Sequence, residues 1–215
     1  MGDTKSDATS RNLTGIQSAD AAALEGFYDG WAPSYDAELE ELGYEAPAQA
    51  AALLRAHGVP DDRPVLDACC GTGLAGRKLR EAGFGRIVGF DISAVSLDEA
   101  KETGVYERVF KQDMNAALDL PDDTFDAVVC IGSMTYAADP EGLLREFCRV
   151  AAPHGLVLFT QRTDFWTDGF RAILDRLEAD GLWRPAEVTE PQPYLPGHPD
   201  FGDSIKIVYG VFRIV

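Results

Sequence analysis

The sequence predicts an α/β fold: a doubly wound, mostly parallel sheet with helices on both faces, preceded by a helical cap. Three observations carry this. Between residues 64 and 160, short runs rich in Val, Ile and Phe alternate with helical-period segments in five strand-helix steps. The first run ends in a glycine-rich turn, Gly71 to Gly76, that opens a helix. The fourth contains Ala127-Val-Val-Cys-Ile131, a continuous apolar stretch suited to a strand covered on both faces.

The elements follow in order. Residues 1–20, rich in Ser, Thr, Asp and Ala, predict a disordered lead. Residues 21–60 predict the helical cap, divided into short helices by Pro33 and Pro47. Residues 61–215 form the α/β domain. Its strands are predicted at 64–68, 86–90, 105–111, 125–131 and 156–161. Helices fall at 74–82, at 96–103 with Ser93 or Ser96 as cap and Ser96-x-x-Glu99 as a capping box, at 140–150 behind Asp139-Pro140, and at 165–179 before Gly181. A Pro-rich segment, 184–203, predicts a lid with at most a short strand, and 204–215 a long final strand; together they would add an antiparallel edge.

Charge and composition exclude several functions. Among 215 residues, 36 are Asp or Glu and 19 Lys or Arg, a net charge of −17. Such a surface repels phosphate backbones and anionic lipid, and no basic stripe offsets it. The densest basic group is Arg77, Lys78 and Arg80. Neither nucleic acid nor membrane is expected as a partner. The acidity reads as solubility or salt adaptation, or as attraction of cationic substrates. No apolar window is long enough to span a bilayer, and Met1 to Ala19 lacks a secretory pattern. Cys69, Cys70, Cys130 and Cys148 show no metal-ligand spacing, so no metal is expected. They read as buried thiols of a cytoplasmic protein.

The chemistry concentrates in Val65-Leu-Asp-Ala-Cys-Cys-Gly-Thr-Gly73. Glycines there let the backbone approach a ligand, and the helix beyond favours a negative group. Gly71-Thr-Gly-Leu-Ala-Gly76 also spells G-x-G-x-x-G, and Asp91 lies where a dinucleotide fold keeps its ribose acid. A nicotinamide oxidoreductase therefore stays open beside a nucleoside-binding transferase. Three features favour the transferase. Asp67 just before the glycines would repel a pyrophosphate and welcome a cationic amino group. Asp113-Met114 offers a carboxylate and a thioether to an adenine. The chain to residue 215 shows no second domain for a hydride partner. Plainer roles exist: Asp67 as a turn acceptor, Asp91 as a loop acid, Asp113 as a strand-end residue, and Tyr28, Trp31 and Tyr35 as a core stripe.

Residues 64–160 resemble the class I S-adenosylmethionine-dependent methyltransferases. Val65 to Gly73 is similar to that family's first motif, Gly89-Phe-Asp-Ile92 to its second and Gln112-Asp-Met114 to its third. Phe125 to Ser133 is similar to the fourth, and Pro153-His-Gly-Leu-Val-Leu158 to the turn before the fifth strand. Phe27 to Asp36, Thr160-Gln-Arg-Thr163 and Leu177 to Trp183 resemble, more narrowly, the Williams–Beuren syndrome region methyltransferase and its bacterial relatives. The resemblance implies a Rossmann-like, seven-stranded sheet and S-adenosyl-L-methionine as cofactor, with S-adenosyl-L-homocysteine as product.

Residue by residue, it implies Cys69, Gly71 and Gly73 against the methionine part and Asp67 near its amino group. It implies Asp91 on the ribose hydroxyls, Ile92 on the adenine, Asp113 and Met114 at the adenine edge, and Gly132 and Ser133 near the sulfonium. Tyr28, Trp31 and Tyr35 would close over the cofactor. Family members acting on amide or exocyclic amino nitrogens carry Asn/Asp-Pro-Pro-aromatic where this chain has Cys130-Ile-Gly-Ser133. The acceptor is therefore expected to be a small molecule, walled by Trp183, Tyr194 and Phe201 of the lid and by Phe165 and Trp166. Tyr136 and His198 are the candidate catalytic residues. A non-catalytic cofactor-binding module is the remaining alternative, and the protein is expected as a monomer or homodimer.

Overall fold

A computed structural model describes residues 21–199, 201, 202 and 204–215. The lead expected over residues 1–20 lies outside the described residues, as do two positions of the lid. The elements in chain order are α1 Ala21–Glu41, α2 Ala46–Ala56, β1 Pro64–Ala68, α3 Leu74–Glu81, β2 Arg86–Asp91, α4 Ala94–Glu102, β3 Arg108–Lys111 and β4 Phe125–Cys130. After a 3-10 turn at Met134–Tyr136 come α5 Pro140–Val150, β5 Ala151–Arg162, α6 Asp168–Ala179, β6 Trp183–Val188, β7 Gln192–Pro193 and β8 Lys206–Ile214.

The main sheet path is β3-β2-β1-β4-β5-β8-β6, seven strands, with two-residue β7 beside β8. The first five are mutually parallel and β8 is antiparallel to β5. Alternate residues of each strand face opposite layers. Val65, Ala127, Val129 and Leu158 pack under α2 and α3, while Leu66, Val128, Val157 and Phe159 pack under α5 and α6. The order reverses between β1 and β4, which opens a crevice at their carboxyl ends.

Three expectations are sharpened or corrected. The antiparallel edge is built by the Pro-rich segment and the last strand together, with β8 between β5 and β6 and β6 outermost. Every residue of β8 from Ile207 to Val211 is buried, and an apolar run covered on both faces belongs inside a sheet. The outer strand β6 carries Pro185 instead, beside a register shift, and a missing N–H costs least there. Second, Pro33 does not divide α1. The helix runs through it, with Pro33 on the exposed side, because Leu24, Trp31 and Leu39 bury a continuous stripe opposite. Tertiary packing outweighs the lost backbone hydrogen bond. Third, α4 is capped by Ser93, whose Oγ accepts from Ser96 N at 3.0 Å, so the expected box on Ser96 and Glu99 does not form.

Candidate functional site

The carboxyl ends of β1, β2, β3 and β4 surround a cleft enclosing about 860 Å³, its open mouth included. The loop after β1 forms its floor. Within five residues, Cys69, Gly71 and Gly73 all take left-handed φ angles of 59°, 53° and 94°. Glycine makes this cheap at two positions, whereas Cys69 holds it at a steric cost of about 1–2 kcal/mol. A Cβ on Gly71 would meet nothing within 4 Å, so the chain leaves open space there.

Asp91 ends β2 and faces this loop. Its Oδ2 accepts from Gly71 N at 2.9 Å and its Oδ1 from Ser93 N at 2.9 Å. Each carboxylate oxygen keeps a second lone pair for a ligand hydroxyl. Burial raises the Asp91 pKa, the amides of Ser93, Gly71 and Ile92 oppose that rise, and Asp29 adds to it. Ile92, Asp113, Met114, Gly132, Ser133, Cys69, Tyr28 and Tyr35 join Asp91 and Gly71 on the wall. Gly132 is held to glycine by its φ of 81° and by the Tyr44 hydroxyl, 2.7 Å from where a Cβ would stand.

Three expected cofactor residues lie elsewhere. Asp67 is not in the wall. It is 1% exposed beneath α3, where Oδ2 accepts from the Tyr106 hydroxyl at 2.7 Å. Burial pushes its pKa up to about 7, against the hydrogen bonds from Tyr106 and Gly76. Gly73 is likewise structural: a Cβ there would sit 3.2 Å from both Tyr106 and Thr103. A Cβ on Gly76 would stand 2.2 Å from the Tyr106 hydroxyl, and one on Gly89 would meet the same ring at 3.0 Å. The later glycines of the motif thus make a slot for the Tyr106 ring, which delivers its hydroxyl to Asp67. Trp31 lines a second chamber, and its Nε1 donates to Glu38 at 2.8 Å.

That second chamber adjoins the cleft and shares Tyr28, Tyr35, Tyr44, Gly132 and Tyr136 with it. Tyr136 stands at the junction, its ring edge-on to that of Tyr28 at 6.0 Å. Its phenol, like those of Tyr28, Tyr35, Tyr44 and Tyr194, is raised by burial and stays protonated at neutral pH. The expected lid supplies Tyr194, Leu195 and Phe201 to this chamber, pinned to the turn after α1 by Gly197 N donating to Leu42 O at 3.1 Å. His198 lines neither cavity; it is buried with its ring 4.6 Å from that of Phe201. Trp183 is core, stacked on Phe212 at 4.2 Å, and Trp166 packs on Phe159 and Phe170. Phe165 lies against Arg162 outside the wall.

Helix α1 spans the top of the cleft and is tied down by its acids. Glu25 pairs with Lys111 at 2.5 Å, Asp29 accepts from Ser93 Oγ at 2.6 Å, and Asp36 binds Thr72 and Arg77. Sequence reasoning missed Tyr44, Gln112 as a wall residue, Thr72 and Leu74. Only their closeness to named motifs could have flagged them. Among the described residues no metal-ligand cluster occurs, and no helix is long and apolar enough to cross a membrane.

A methyltransferase domain family matches residues 65–155. The human methyltransferase-like protein 27 is 37% identical over 164 residues, 73% of this chain and 66% of that protein. The Bos taurus 18S rRNA (guanine-N(7))-methyltransferase is 40% identical over 80 residues, 36% of this chain and 28% of its own. The chain thus spans about two thirds or less of the length of these curated relatives. A solved S-adenosylmethionine-dependent methyltransferase from Thermotoga maritima shares the fold. Its TM-score is 0.64 at 18% identity, covering 88% of this chain and 98% of that one. The cleft's donor set suits a nucleoside, and its acid, Asp91, stands where the matched family domain runs. The chain belongs to the class I S-adenosylmethionine-dependent methyltransferases, and S-adenosylmethionine is its cofactor.

Proposed function

We propose that this protein methylates a small-molecule acceptor by in-line transfer from S-adenosylmethionine. The observation that carries the cofactor assignment is the clamped Asp91 carboxylate. Two loop amides fix its orientation and leave one lone pair on each oxygen, a match for two adjacent ribose hydroxyls. Asp113 and Met114 would read the adenine edge, with Ile92 on its face. Gly71 lets the backbone approach the methionine part; Ser133 lines the cleft, and Gly132 is shared between the cleft and the acceptor chamber. Tyr28 and Tyr35 on α1 cover the site and exclude water. Asp67 holds the glycine loop through Tyr106 and Gly76 rather than touching the cofactor.

Bound, the cofactor supplies a methyl group already activated by a sulfonium. The protein's part is alignment, worth roughly 7–11 kcal/mol in favourable cases. Tyr136, at the junction of cleft and chamber, is placed to orient an acceptor as a neutral donor. The bovine relative is named for ribosomal RNA. A small acceptor is favoured here by the −17 charge, by the enclosed chamber and by Cys130-Ile-Gly-Ser133 at the fourth strand end. Four free thiols fit a reducing cytoplasmic compartment.

Titration calorimetry with S-adenosylmethionine, S-adenosylhomocysteine and NAD tests the cofactor. Binding of NAD alone would overturn the reading. Accumulation of S-adenosylhomocysteine with a panel of thiols, phenols, amines and carboxylates tests the transfer itself.

A further inference from the structure

The second chamber has a chemical character of its own. Its wall contains five tyrosines, Tyr28, Tyr35, Tyr44, Tyr136 and Tyr194, and among the described residues one charged side chain, Arg162. Arg162 belongs to the segment Thr160-Gln-Arg-Thr163 at the end of β5. Thr160 fixes the neighbourhood, its Oγ1 accepting from Gly132 N at 2.8 Å.

The guanidinium is held in place beforehand. Its Nε and Nη2 donate to Asp164 at 3.1 and 2.6 Å, and its Cζ lies 5.3 Å from the Phe165 ring centre and 4.9 Å from that of Phe201. The Arg162 side chain is 12% exposed, while Asp164 sits toward solvent at 38%. Its third nitrogen, Nη1, has no hydrogen bond to the described residues. A rigid donor edge therefore remains on the chamber side.

The rest of the wall points the same way. Its phenols remain protonated, so they act as hydrogen-bond donors and not as bases. No carboxylate or imidazole lines the chamber among the described residues. An ammonium group would thus find no counter-charge, and a neutral alcohol no base to ionise it. Ring faces and edges, such as Tyr44 against Tyr194 at 5.7 Å, suit a planar guest. A cation would find those faces attractive, but it would share the chamber with Arg162.

We propose that the acceptor is a planar organic anion, a ring bearing a carboxylate or phenolate, seated in this chamber with its anionic oxygen on the free edge of Arg162. The inference rests on the methyl-transfer reading and narrows it to acceptors that arrive already ionised.

The test uses the full chain saturated with S-adenosylhomocysteine. Calorimetry compares benzoate and salicylate with benzamide, salicylamide and benzylamine. The acids are expected to bind about tenfold or more tighter than their amides, with benzylamine weakest. Arg162→Gln should abolish that gap while leaving S-adenosylhomocysteine affinity unchanged, and Arg162→Lys should restore part of it. Failure of both acids to bind, equal binding of acid and amide, preference for benzylamine, or an undiminished gap in Arg162→Gln would overturn the proposal. If S-adenosylhomocysteine itself does not bind the wild type, the methyl-transfer reading falls, and that outcome is distinct from all the others.

Discussion

Removing the Asp91 carboxylate tests the cofactor site most directly. Each of its oxygens holds one loop amide at 2.9 Å and keeps one lone pair for a ribose hydroxyl. Hydrogen bonds to a charged acceptor contribute about 1.5–3 kcal/mol each, and water replaces part of what is lost. Asp91→Ala should therefore weaken S-adenosylhomocysteine binding by about 3 kcal/mol, on the order of a hundredfold in Kd. The same change strips acceptors from Gly71 N and Ser93 N. Ser93 is fully buried, so a further stability loss of about 1–3 kcal/mol is expected. Relief of the buried charge offsets some of it, since burial already disfavours the ionised form. Calorimetry should run where circular dichroism shows the variant folded. Asp91→Asn should fall between wild type and Asp91→Ala, because it keeps one carbonyl acceptor and turns an N–H₂ toward a backbone N–H. A folded Asp91→Ala that binds the ligand as tightly as wild type would remove Asp91 from the site.

The remaining predictions concern the scaffold. Asp67, pushed up to about 7 from 3.8, keeps its proton in the native state while the unfolded chain has lost its own. Its contribution to stability is full below about pH 3.8 and is lost as pH rises to about 7. The total is about 4 kcal/mol, so the gap between wild type and Asp67→Asn in urea unfolding should shift by that order across the window. A pH-independent gap would refute it. Gly76→Ala should destabilise by about 2 kcal/mol or more, since the new methyl meets the Tyr106 hydroxyl inside the slot; an unchanged denaturation midpoint would refute the slot. Pro33→Ala should stabilise α1 by up to about 3 kcal/mol in chemical denaturation, and a loss instead would mean the ring packs favourably. Asp36→Ala should cost about 1 kcal/mol or less in stability yet speed S-adenosylhomocysteine release in stopped-flow measurements, because it unties α1 from α3; an unaltered release rate would sink the cover role.

Much of the sheet was legible because its signals are local. Val65 to Asp67 and Ala127 to Ile131 declare themselves by composition, and Asp91 and Asp113 stand at the ends of such runs, where parallel sheets open toward ligands. What was not legible depends on partners distant in sequence. Asp67 looked like a ligand residue because nothing near it announces that Tyr106, 39 positions on, would occupy its carboxylate. The place of β8 between β5 and β6 is a choice of neighbour, to which alternation along one strand is blind. Pro33 carries a strong local stop signal, and only the stripe from Leu24 to Leu39 buried against the rest of the fold overrides it. The left-handed Cys69 has no sequence signature at all, because the strain is imposed by the loop that frames the cleft.

The glycine pattern shows why such a motif cannot name a ligand by itself. G-x-G-x-x-G is shared by dinucleotide and methyl-donor sites because both need a tight turn from strand to helix. In this chain only Gly71 leaves space toward the cleft, whereas Gly73, Gly76 and Gly89 make room for one tyrosine. The tyrosine in turn satisfies a buried carboxylate whose cost would otherwise fall on the loop that carries Gly71. Specificity therefore lies in the groups the loop brings to the cleft. Asp91 is oriented by the Gly71 and Ser93 amides, and its neighbour Ser93 also holds Asp29 of the covering helix. The same three hydrogen bonds join the loop, the acid and the cover, so displacing any one of them disturbs cofactor recognition and closure together.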